Sequence, residues 1–176
     1  MVLVTSLLLL VIVTILALSM FRSYGLQERI AGNVREKQRA LQAAVSAQQY
    51  AEWWLSSGTN STSAPVTCVS TVLDANLNQG QICNLASALV TPADPATWTG
   101  RIDYKPPAMT VQTGGGSALY YDQKPHFYIT DLGTSVGGSA EIYKITAAGY
   151  GGTQNTVAVV ESTYSLSSGI VDRGGL

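Results

Sequence analysis

Little in this chain can do covalent chemistry. It has one histidine, two cysteines and only 12% charged residues among 176. No S-x-x-K or H-E-x-x-H stretch occurs, and the triple glycine at 114–116 lacks the Gly-Lys-Ser/Thr ending that completes a phosphate-binding loop. Two cysteines, Cys68 and Cys83, are too few for a structural zinc site and lack C-x-x-C spacing. A lone His126 beside aromatic residues is most often structural. The sequence therefore points to no enzyme, no cofactor and no metal. Clustered Lys and Arg are also missing from the region after residue 40, where five basic side chains face nine acidic ones, so nucleic acid is excluded as its partner.

Charge is absent altogether from the first 21 residues, as are proline and glycine. Met1–Phe21 is a continuous apolar run, roughly 32 Å long as a helix, about one bilayer core. A cleaved signal peptide has a basic start, a shorter core and a small-residue cut site. None is present, so the run is expected to be retained as a membrane helix. Residues 1–40 carry five basic against two acidic side chains, which by the positive-inside rule opposes export of the chain beyond residue 40. A leader with its own positive charge, removed earlier, would lift that conflict.

Beyond Phe21 the apolar positions thin to Leu26, Ile30, Val34, Leu41 and Val45, then Trp54 and Leu55, at steps of four and seven. This predicts an amphipathic continuation over 22–57, packing on a head domain in its second half, with both Trp53 and Trp54 at the packed end. Gly25 and Gly32 are its weakest points. Ser56-Ser57-Gly58 ends the helix and 59–65 is a polar connector; the sequon Asn60-Ser61-Thr62 carries no weight by itself. Residues 66–100 show no clear period. Strands are predicted at 101–104, 109–113, 118–121, 127–130, 141–149 and 156–164, with loops at 114–116, 133–138 and 151–155. Tyr143, Ile145 and Ala147 alternate with Lys144 and Thr146, a half-buried pattern.

The expected architecture is α+β: a long N-terminal helix (1–21 transmembrane, 22–57 amphipathic) and a head over 58–176 with an antiparallel sheet. If the head is exported, Cys68 and Cys83 are expected to pair, closing a loop at roughly 3 kcal/mol on the chain-entropy account; two separate buried thiols are the alternative. Asp122, Asp131 and Glu141 flank glycine-rich loops and have the chemistry for calcium, but solvated loop acids are the commoner case.

The segment LQERIAGNVREKQRALQAA (26–44) and the closing YKITAAGYGGTQNTVAVVESTY (143–164) resemble the PilX-type minor pilins of type IV pili. The resemblance implies a precursor cut by a prepilin peptidase before Met1, which would be N-methylated. It implies a helix held in the inner membrane beside the assembly platform, then packed in the filament with the major pilin and other minor pilins. The head would face the periplasm and later the cell surface. Minor pilins of this type are expected to form a priming complex that starts assembly and displays a tip adhesin. Most pilins have glutamate at mature position five, where it neutralises a neighbouring amine; here Thr5 stands there. A subunit without that acid suits the first position of a filament, as in the tip pseudopilin of type II secretion. A pseudopilin and a single-span, ligand-binding envelope protein are the competing readings.

Overall fold

The computed structural model describes residues 2–68, 72–87, 93–114 and 119–167. Two compact units divide the chain, Met1–Glu36 and Lys37–Leu176.

One helix, α1 (Val2–Ser56), runs through 55 residues without a break, including Gly25 and Gly32. In the first unit its large apolar side chains from Val2 to Phe21 are all exposed, and an 18-residue window reaches a mean hydropathy of 2.8. By length and composition this helix can cross a membrane. Leu26, Ile30 and Val34 are exposed as well.

In the second unit the helix presents a different face. Its buried residues are Ala40, Ala43, Ala44, Ala47 and Ala51, then Trp54 and Leu55. Spacings of three and four place the alanines in one stripe. Of the stripe read from the sequence, Trp54 and Leu55 lie on this face, but Leu41 is exposed and Val45 half-buried, and alanines take their place. The reason is distance. Small side chains let a helix backbone approach a sheet, whereas a leucine would hold it off. Trp53 is exposed too, so of the two neighbouring tryptophans only Trp54 enters the core.

The sheet has five strands in sequential order: β1 (Leu73–Asp74), β2 (Ile102–Asp103), β3 (His126–Thr134), β4 (Ala140–Tyr150) and β5 (Val157–Ser167). β1 pairs parallel with β2 and every other pair is antiparallel. Predicted strands at 101–104, 127–130, 141–149 and 156–164 correspond to β2–β5, and 151–155 lies in the turn between the last two. The predicted strands at 109–113 and 118–121 do not form; a single parallel bridge joins Val111 to Tyr121, and Ala118 lies outside the described residues. The expected loop at 133–138 starts later, because β3 continues to Thr134 through a bulge between Asp131 and Gly133. Gly133 takes φ +86° there, a conformation side chains resist.

Phe127, Ile129, Tyr143, Ile145 and Ala147 share one sheet face and pack with Ala47, Ala51, Trp54 and Leu55. The opposite face is covered as well. Cys68 and Cys83 pack on Tyr128, and Trp98 packs edge-on against His126 with ring centroids 5.2 Å apart. β4 is therefore buried on both faces from Ile145 to Tyr150, and Thr146 is only 3% exposed. Of the expected alternation, Tyr143, Ile145 and Ala147 are buried and Lys144 is half-buried, but Thr146 is buried as well because the second face is covered.

Candidate assembly surface

Thr5 donates its hydroxyl to the Val2 carbonyl at 2.8 Å, so its polarity is absorbed within its own helix turn. Around it lie Val2, Leu3, Val4, Leu7 and Leu8, all exposed. Met1, the expected methylation site, lies outside the described residues, as do Gly115, Gly116 and the C-terminal stretch after Ser167. This surface offers apolar area and no charge from residue 2 to residue 21.

The head is tied to its own part of the helix by specific contacts. Lys37 Nζ donates to the Val157 carbonyl at 3.0 Å, Arg39 Nη2 donates to the Tyr120 carbonyl at 2.9 Å, and the Arg39 guanidinium lies 4.6 Å from the Tyr121 ring centroid. A β-carbon built on Gly149 would lie 2.3 Å from Ala44 N, so helix and sheet backbones meet directly. Tyr50 stacks on Tyr104 at 4.3 Å and donates its hydroxyl to the Ala75 carbonyl.

Cys68 and Cys83 are joined by a disulfide, with Cα atoms 5.3 Å apart. Cys83 is also held by the sheet: its N–H donates to the Ile129 carbonyl and its carbonyl accepts from Asp131 N–H, each at 2.8 Å. The bridge thus fastens an irregular segment to β3. Tyr128 reinforces it by donating its hydroxyl to the Ser87 carbonyl.

His126 is 1% exposed and stands between Trp98 and Tyr150. Burial, helped by the nearby Arg101 charge, lowers its pKa to about 4, so the ring is neutral at physiological pH. Its Nε2, Trp98 Nε1 and the Tyr150 hydroxyl are buried without a hydrogen-bond partner among the described residues. Burial raises the Tyr150 and Tyr128 pKa values in the same way.

The three acids considered for calcium are not brought together. Asp122 is buried and accepts from Gly114 N–H through Oδ1 at 2.8 Å. Asp131 accepts from Gly133 N–H at 2.8 Å, stabilising the bulge. Asp131 and Glu141 do line one cleft of about 470 Å³, walled by Ser61–Pro65 and by Tyr143, Leu166 and Ser167. No group of three or more potential ligands occurs among the described residues.

A long apolar N-terminal helix followed by a largely antiparallel sheet defines a type IV pilin-like α+β protein. The profile "PilX N-terminal" matches residues 1–47 and "Type IV pilus assembly protein PilX C-term" matches 38–166. The chain belongs to the PilX family and is a PilX-type minor pilin, a type IV pilus assembly protein. PilX is a structural and assembly family, not a known enzyme family. A search of curated proteins and one of solved structures each found no match.

Two features escaped reading from residue patterns. The alanine stripe 40–43–44–47–51 was legible in principle, since its period is helical, but alanine marks a buried face weakly. The role of Trp98 had no local signal, because its ring partner His126 is distant in sequence.

Proposed function

We propose that this protein works without catalysis, joining other minor pilins in a priming complex that initiates the pilus and supports an adhesin at its tip. In this reading residues 1–21 span the inner membrane and later pack in the filament core beside the major pilin. Residues 22–57 carry the amphipathic continuation, with Leu26, Ile30 and Val34 available to neighbouring subunits, and 58–176 form the head in the periplasm. Met1 is the processed, N-methylated end, cut by the prepilin peptidase and delivered to the assembly platform.

Thr5 is the observation that carries the placement. A buried amine without a counter-charge is destabilising in an apolar medium. A subunit that supplies no acid at that depth, and whose Thr5 hydroxyl is already bonded to Val2, suits the position with no subunit ahead of it. PilX family membership favours the pilus over a type II secretion pseudopilin or a stand-alone ligand-binding protein.

Co-expression of the full chain with candidate minor pilins, followed by purification in detergent, tests the proposal. A stable complex containing the chain and at least one other minor pilin is expected. A chain that purifies alone from every combination overturns the priming role.

A further inference from the structure

The two edges of the sheet differ. β1 has two residues, the length by which proteins commonly blunt an edge. β5 has eleven and stands last in the sheet, pairing among the described residues only with β4. The usual protections are missing from β5. It holds no proline, lysine or arginine, and its register with β4 runs unbroken from Tyr150↔Val157 to Ala140↔Ser167, with no bulge. Its one charge, Glu161, is neutralised by Lys144 Nζ at 2.8 Å.

Hydrogen bonding shows which residues point outward. Gly151 N–H donates to the Thr156 carbonyl at 2.8 Å, so Tyr150 and Val157 are a non-hydrogen-bonded antiparallel pair. Backbone groups of Val157 and of every second residue after it therefore face away from β4. Lys37 takes the Val157 carbonyl. From Val159 through Glu161 and Thr163 to Ser165, the outward N–H and C=O groups form an open template.

Side chains add a pattern. Val160, Tyr164 and Leu166 lie on the helix-facing side, packed on the core yet only half-buried. Glu161, Thr163 and Ser165 are exposed on the other side. At the Leu166 end lies the cleft with Asp131 and Glu141 and no basic residue among its described lining.

We propose that β5 is a docking edge that accepts an extended segment of a partner protein as a sixth strand. The segment alternates apolar with polar residues, apolar side chains extending the layer of Val160, Tyr164 and Leu166. It carries a lysine or arginine at the end beside Ser167, facing the Asp131–Glu141 cleft. Main-chain hydrogen bonds give such strand addition its affinity, and the side-chain pockets and charge give direction. The inference stands independently of which proteins make up a priming complex.

The test uses the full chain in detergent and a synthetic peptide alternating valine with threonine and ending in two lysines. Amide exchange should slow on binding at Val159, Glu161, Thr163 and Ser165. Thr163→Pro, which removes an outward N–H and leaves pairing with β4 intact, should weaken binding about tenfold or more. Glu141→Gln should weaken the lysine peptide and leave a neutral-ended control unchanged. Undiminished binding to Thr163→Pro, or protection confined to other residues, overturns the proposal. So does self-association of the chain through β5 in preference to the peptide, which would make a second copy the occupant. Because the exchange pattern needs no variant, misfolding of Thr163→Pro does not blunt the test.

Discussion

Gly149 lies directly beneath Ala44: a β-carbon on the glycine would stand 2.3 Å from the Ala44 nitrogen and 2.4 Å from the Ala40 carbonyl oxygen. This contact sets the spacing between helix and sheet, and the alanine stripe extends it to Ala51. Both obstructing atoms are helix backbone, which cannot rotate away.

Gly149→Ala should therefore cost about 2 kcal/mol of stability or more, and Gly149→Val more still. Denaturant unfolding of the full chain in detergent, followed by tryptophan fluorescence from the buried Trp54 and Trp98, measures it. An unchanged midpoint for Gly149→Val would mean that the helix does not sit on Gly149 in solution.

Removing the disulfide with Cys68→Ala and Cys83→Ala should lower stability by roughly 3 kcal/mol, since the bridge closes a loop with a separation of 15 residues. In the unreduced native chain neither sulfur should react with a thiol reagent. Two titratable thiols per chain in that state would show that the bridge is absent.

Acid should weaken the fold through His126. Its folded pKa of about 4 lies below the ordinary 6.5, so as pH falls the unfolded chain takes up the proton first. The stabilisation is complete above pH 6.5 and drains away between 6.5 and about 4, by roughly 3 kcal/mol in all. Unfolding curves at pH 7, 5.5 and 4.5 for the parent chain and for His126→Gln isolate this part from the carboxylates. Equal slopes for the two chains would contradict a neutral, buried ring.

Intact mass and N-terminal sequencing of protein from its native host should show Met1 first, carrying one methyl group. An unmodified start, or residues remaining ahead of Met1, would remove the basis for counting Thr5 as the fifth mature position. With that count upheld, Thr5→Glu should lower the number of pili per cell while leaving the amount of protein in the membrane unchanged.

How much of the fold is legible in the sequence depends on the range of the interactions involved. Helix α1 can be read because an unbroken apolar run has one stable backbone solution in lipid or in a filament. The β3–β4–β5 meander can be read because β-branched and aromatic residues recur between turn residues at 133–138 and 151–155. Strands expected at 109–113 and 118–121 have the same local composition, yet among the described residues only the single Val111–Tyr121 bridge joins them.

By itself the sequence determined the apolar helix, the α+β class, the family-like blocks at 26–44 and 143–164 and the uncharged Thr5, all properties of neighbouring residues. Tertiary structure decided which helix face meets the sheet, choosing Ala40–Ala51 over the aliphatic stripe. It also decided that Trp53 stays out, that His126 is enclosed by Trp98 and Tyr150, and that the segment holding Cys68 and Cys83 covers the second sheet face. Those choices depend on how closely two backbones approach and on which distant side chains fill the space between them, and no local pattern encodes either.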